Sequence, residues 1–130
     1  MRRVGSISFP PQQVTYVTRS PYNWCMTAFI QIATTTATQA EAQQIARMLI
    51  EQHLVACAQV SGPVMSVYHW QGKIEEGDEW VCTLKTRESL FDKVAAAIRG
   101  IHSYQCPEIV ATTIVGASED YLAWLERELA

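Results

Sequence analysis

The chain has 130 residues, 48% of them apolar and 18% charged, which suits one hydrophobic core and leaves too little chain for two. A net charge of −3 supplies no basic field for nucleic acid or an anionic membrane surface, so neither is expected as a partner. No run of 18 apolar residues occurs, so no helix is expected to span a bilayer.

Met1-Arg2-Arg3 resembles the start of a signal peptide, but Val4 to Gln13 carries Ser6, Ser8, Pro10 and Pro11 and is no apolar core. The chain therefore reads as cytoplasmic, where Cys25, Cys57, Cys82 and Cys106 are expected to stay thiols. None stands in a C-x-x-C pair, which excludes a zinc ribbon or a thioredoxin-type motif. Residues 1–25 hold three prolines and no acid, and read as a weakly ordered extension ahead of a domain over 26–130. The alternating Val14-Thr15-Tyr16-Val17-Thr18 is the alternative there, an added edge strand.

Ala28 to Ala33 is an apolar run of strand length, closed by Thr34-Thr35-Thr36. Thr38-Gln39-Ala40-Glu41 is a capping box that opens a helix, with Ala42, Ile45, Ala46, Leu49 and Ile50 on its buried stripe and an end near His53. Val55 to Val60 is a strand stopped by the turn residues Ser61-Gly62-Pro63. Val64 to Ile74 and Trp80 to Lys85 form a hairpin whose predicted tip is the acidic run Glu75 to Glu79, with Gly72 as a bulge in the first arm. A second helix follows Thr86, with Leu90, Phe91, Val94, Ala97, Ile98 and Ile101 inward. Ile109 to Val115 is a strand, and Ser118 caps a last helix with Glu119 and Asp120 in its first turn.

This order predicts an α+β fold: a ferredoxin-like βαββαβ sandwich with an extra C-terminal helix and a long hairpin. The hairpin carries Tyr68, Trp70 and Trp80, large rings that a small domain covers either with its own helices or with a second copy.

Four motifs then stand in register. They are Tyr68-His69-Trp70-Gln71-Gly72-Lys73-Ile74, Glu79 with Leu84-Lys85-Thr86, His102-Ser103-Tyr104-Gln105-Cys106-Pro107-Glu108-Ile109, and Tyr121-Leu122-Ala123-Trp124-Leu125. Together they closely resemble the CutA divalent-cation-tolerance family, whose pattern reads Y-x-W-x-G-K-I, K-T, H-P-Y-x-x-P-E-I and Y-L-x-W. The resemblance implies a homotrimer whose hairpins extend into neighbouring sheets, similar in architecture to PII signalling proteins. It also implies an association with copper and other divalent metals. Ser103 departs from it, standing where the family pattern has Pro, which leaves the backbone between His102 and Tyr104 freer.

Soft thiolates and imidazoles suit copper, so the candidate metal ligands are Cys57, His102 and Cys106. Cys57 lies in an Ala-Cys-Ala strand that resembles a family position linked to copper. Against this, free cysteines are commonly packing residues, and His102 suits a helix end. The motifs also nominate an intersubunit cleft of Tyr68, Trp70, Lys85, Tyr104, Glu108 and Trp124, in which Lys85 near Glu108 binds a small anion or forms an ion pair across subunits.

No catalytic motif is present: there is no G-x-S-x-G, no H-E-x-x-H and no glycine-rich phosphate loop. The loop 34–39 lacks the Arg an acylphosphatase needs, and Trp80 to Lys85 does not match an RNA-binding strand. The expectation is a non-enzymatic homotrimer that binds or buffers metal ions, copper first. The alternative is a PII-like regulatory or scaffold trimer that senses a small ligand.

Overall fold

The computed structural model describes residues 27–130. The expectations for 1–25, for the piece at 14–18 and for Cys25 lie outside the described residues.

The elements are β1 (Phe29–Thr36), α1 (Gln39–Glu51), β2 (Cys57–Trp70), β3 (Lys73–Arg87), α2 (Phe91–Ile101), β4 (Val110–Thr113) and α3 (Glu119–Glu128). The four strands make one antiparallel sheet in the order β2-β3-β1-β4. With three helices this is the α+β arrangement that the alternation of periods 2 and 3.6 predicts.

Period 2 places Ile30, Ile32, Thr34 and Thr36 of β1 on one face, level with Thr86, Leu84, Cys82 and Trp80 of β3. Ala42, Ile45 and Leu49 of α1 and Phe91, Val94, Ala95 and Ile98 of α2 close over this face in a single buried cluster. Ala95 completes the α2 stripe, while Ile101 is exposed and Ala97 only half-buried, because α2 rests on the sheet over a narrower arc than the sequence suggests. The opposite face, which carries Gln31, Thr83, Lys85 and Cys57, is open except where α3 meets β3 and where Tyr104 reaches the buried Glu79.

The cap of α1 is half of a capping box. The Thr38 hydroxyl accepts from the Glu41 amide at 3.2 Å. The Glu41 carboxylate accepts instead from Ser103, from the backbone N–H at 2.7 Å and from the hydroxyl at 2.9 Å. Thr38→Ala should therefore cost about 1 kcal/mol. Denaturant unfolding at fixed protein concentration should show a lower midpoint with an unchanged slope.

The hairpin differs from its prediction in two ways. The turn is Gln71-Gly72, both at positive φ (51° and 78°), so the two arms meet there and Lys73 opens β3. Glycine fits the second position of such a turn without strain. The acidic run 75–79 lies within the strand and not at the tip, since a two-residue turn gives a better ladder than a five-residue charged loop.

Ser61-Gly62-Pro63 does not end a strand either. β2 runs on through a bulge: Ser61 pairs with Val81 and Val64 with Glu79, so β2 spends one residue more than β3. The Gly62–Pro63 bond is cis, and Gly62 has φ 148°. A Cβ on Gly62 would stand 2.9 Å from the Trp80 ring and 3.1 Å from the Glu79 carbonyl, so glycine is required here.

The extra residue switches which β2 residues face which side. Before it, Cys57, Gln59 and Ser61 lie on the open face; after it, Val64, Ser66, Tyr68 and Trp70 do. Met65, Val67 and His69 turn to the other side with Ile74. β1 ends level with Trp80, so the arms 64–70 and 73–79 pair only with each other and overhang the sheet by about 20 Å.

Candidate functional site

The base of the overhang is where buried polar groups gather. Glu79 is 5% exposed although it is charged, because its neighbours supply donors. The Tyr104 hydroxyl donates to Glu79 Oε2 at 2.8 Å, and Ser66, brought to this face by the bulge, lies close enough to favour the carboxylate. Burial by itself would raise the carboxyl, but Ser66 and the Tyr104 hydrogen bond outweigh it and hold Glu79 below its usual range. Burial, then the bond to Glu79 and its charge, push the Tyr104 hydroxyl well above the usual phenol range, so Tyr104 is a donor.

His102 fixes the other side of this segment. Its side chain is 0% exposed. Nδ1 accepts from the Tyr104 backbone N–H at 3.0 Å, so the proton sits on Nε2, which donates to the Thr35 carbonyl at 2.9 Å. Burial lowers the imidazole below its usual value, which favours this neutral form, although Glu41 Oε1 stands 3.5 Å from Nδ1. The rings of His102 and Tyr104 lie 4.8 Å apart. Ser103, where the family pattern has Pro, binds Glu41 through two donors that Pro lacks. The backbone freedom expected at this position is thus taken up by a carboxylate clamp.

The sequence-predicted residues fall into two groups. Tyr104 stands at the hairpin base, while Tyr68 lies toward the turn, level with Glu75, yet close enough to act electrostatically on the Tyr104 hydroxyl. Trp70 lies further out, at the turn. Lys85 lies elsewhere on the open face, donating to Gln59 Oε1 at 3.3 Å and level with Cys57. Trp124 and Tyr121 on α3 make a tilted ring pair with centroids 5.6 Å apart, and burial, then the nearby Cys57, raise the Tyr121 hydroxyl above its usual range.

Lys85 does not stand beside Glu108 of its own chain. The register makes Gln31 and Thr112 its level partners, and Glu108 lies ahead of β4, four residues before Thr112. Nor do Cys57, His102 and Cys106 converge. Among the described residues no three His, Cys, Asp or Glu side chains group so as to hold a metal ion, and both His102 nitrogens already have protein partners. Cys82 is wholly buried, and burial pushes its thiol up to about 11, as a packing residue requires. Trp80 packs against the domain's own core, which answers for that ring the choice between own helices and a second copy. A groove between α1 and β2, lined by Gln43, Arg47, Ile50, Ala58 and Val60, holds none of the predicted residues.

Glu41 escaped the sequence reading as a site residue, since its spacing from Thr38 also satisfies a capping box. Ser66 and Thr35 escaped as well. Only the bulge and the path of the 102–104 backbone bring them in.

This geometry stands beside clear relationships to known proteins. The family described as CutA1 divalent ion tolerance protein matches residues 30–128. The chain belongs to that family. It is 37% identical over 84 residues to the divalent-cation tolerance protein CutA of Thermus thermophilus, covering 65% of this chain and 82% of the relative. It is 33% identical over 84 residues to the chloroplastic CutA of Arabidopsis thaliana, covering 65% of this chain and 46% of the relative. It thus spans about half the length of that plant relative. The crystal structure of CutA1 from Oryza sativa superposes with a TM-score of 0.78 at 30% identity, covering 82% of this chain and 97% of that one. Among the described residues no helix is long and apolar enough to cross a membrane.

Proposed function

We propose that this CutA-family protein works in the cytoplasm as a homotrimer of ferredoxin-like subunits that binds or buffers metal ions, copper first. The overhanging hairpin carries the assembly part of the reading. A two-stranded ribbon is marginal by itself, and this one exposes Met65 (70%), Val67 (54%) and Ile74 (70%) on one side. A neighbouring copy is the surface that would cover them. Both sheet edges, β2 and β4, are also open to a further strand within one chain.

The metal part is supported by the relatives' description as divalent-cation tolerance proteins and by the half-buried thiols of Cys57 and Cys106, which are soft donors. One subunit lacks a complete ligand set among its described residues, so a stable site needs donors from more than one copy. The second reading, a PII-like trimer sensing a small ligand, is favoured by one observation. The predicted cleft residues split between two ends of the open face, and packing of copies is the means of joining Lys85 to a Glu108.

Light scattering at micromolar protein should give a mass of three subunits, and a clean monomer would defeat the assembly. Calorimetric titration with copper and with a panel of nucleotides separates the two readings. If Cys57 holds copper, Cys57→Ser lowers Cu(I) affinity about tenfold or more in a competition titration, a difference of about 1.4 kcal/mol. An unchanged affinity removes Cys57 from the site.

A further inference from the structure

The segment 102–104 ties four elements together around one histidine ring. His102 ends α2, where its N–H donates to the Ile98 carbonyl at 2.9 Å. Its Nε2 donates to the Thr35 carbonyl of β1 at 2.9 Å, and its Nδ1 accepts from the Tyr104 N–H at 3.0 Å. Ser103 is held to Glu41 of α1. The Tyr104 hydroxyl reaches Glu79 of β3, at the root of the overhanging hairpin.

A neutral imidazole has one ring lone pair to offer, and here the Tyr104 amide takes it. An imidazolium has none, because both of its nitrogens donate. Protonation of His102 therefore breaks this bond, whatever the pH at which it occurs. The new Nδ1–H has an acceptor at hand. Glu41 Oε1 stands 3.5 Å away, and it already takes the Ser103 N–H at 2.7 Å. The Tyr104 N–H is left facing another donor, so the backbone at Tyr104 has to turn away from the ring.

The surroundings keep this proton off at neutral pH and yet supply what would hold it. Among the described residues the charged groups acting on the ring are Glu41 from α1 and Glu79 from β3, both acids, while β1 contributes the Thr35 carbonyl. Burial outweighs all three and places the imidazole below its ordinary 6.5. The unfolded chain thus takes up the proton first. The stability this ring contributes is complete above 6.5 and is lost as pH falls toward the lower folded-state value.

We propose that His102 is a proton-operated latch on the hairpin root: its neutral ring holds the Tyr104 amide, and its protonation releases that amide and draws the Tyr104 hydroxyl off Glu79. Acid thereby loosens the root of the arm that carries Met65, Val67 and Ile74 beyond the sheet. The latch lies within one subunit and needs neither a second copy nor a metal.

The test is nuclear magnetic resonance of the full chain over a pH series, reading the His102 ring nitrogens and amide hydrogen-exchange protection together. As His102 takes its proton, protection of the Tyr104 amide and of residues 77–81 should fall about tenfold, the scale of one buried hydrogen bond. His102→Asn keeps an acceptor at the Nδ1 position and does not titrate, so protection should stay constant over the same pH range. Should that variant fail to fold, Glu41→Gln decides. It keeps an acceptor for Ser103 but removes the charge beside Nδ1, so the midpoint of the step should move about one pH unit lower. Constant protection at Tyr104 through the His102 titration overturns the latch, and so does a His102 that stays neutral until the chain unfolds. A fall at Tyr104 with residues 77–81 unchanged overturns the link to the hairpin root. The same step in His102→Asn, or an unmoved midpoint in Glu41→Gln, assigns the transition to another group and overturns the latch as well.

Discussion

Tyr104→Phe should lower folding stability by about 1.5–3 kcal/mol at neutral pH, the range for a hydrogen bond to a charged group. The hydroxyl it removes donates to Glu79 Oε2 at 2.8 Å, and Glu79 is almost completely buried. Water cannot easily replace the lost donor there, which places the cost toward the upper part of that range. The sign of the pH dependence follows from the carboxyl. Glu79 is held below its ordinary 4.5, so the stability it contributes is fully present above 4.5 and is lost as pH falls through the lower folded-state value. Protonated Glu79 no longer offers a charged acceptor, so the gap between the unaltered protein and Tyr104→Phe should narrow in acid. Denaturant midpoints at about pH 7 and about pH 3, at one fixed protein concentration, measure it. With the series carried down to the acid limit of the fold, a gap that never narrows would show that Tyr104 does not act through this carboxylate.

If the proposed homotrimer forms, Val67→Asp should reduce it to single subunits without unfolding them. Val67 is 54% exposed on the overhanging arm, directly across from Glu76. In an isolated subunit the substitution sits in water and costs within about 0.5 kcal/mol, apart from mild repulsion by Glu76. If neighbouring copies cover this side of the hairpin, each copy must bury an unpaired carboxylate, at several kcal/mol per charge. The two environments therefore differ by far more than the fold itself would register. Light scattering should report a threefold drop in mass with an unchanged far-ultraviolet circular dichroism spectrum. A mass that stays the same would show that this side of the hairpin is not the covered one.

The element order was readable because it depends on local physics. Ile30 and Ile32 alternate with Gln31 and Ala33, Ala42, Ile45 and Leu49 recur at helical spacing, and Thr38 caps as its chemistry suggests. The misread stretches are those where two local rules compete. Ser61-Gly62-Pro63 satisfies a turn and a bulge equally, and only the Trp80 ring against Gly62 decides for the bulge. Glu75 to Glu79 has the composition of a loop, yet Gln71-Gly72 makes the shorter turn and draws the acids into the ladder.

The candidate site was less legible for a related reason. Tyr104, His102 and Glu79 carry the family motifs, so their importance showed in the sequence, but their roles did not. His102 reads as a soft ligand until the Tyr104 amide and the Thr35 carbonyl are seen to occupy its two nitrogens. Glu41 reads as a cap until Ser103 is found on its carboxylate, 62 residues away.

By itself, then, the sequence determined the α+β class, the helix stripes, the family and the presence of a long aromatic hairpin. These follow from periodicity and from motifs whose spacing survives without a partner. The tertiary structure decided where the hairpin turns, which side Tyr68 and Trp70 face, and that Lys85 and Glu108 of one chain lie apart. Those outcomes depend on strand register, and one extra residue in β2 changes every facing beyond it. It also decided that Glu41 meets Ser103 and that His102 meets the Thr35 carbonyl, because contacts between distant segments are set by packing.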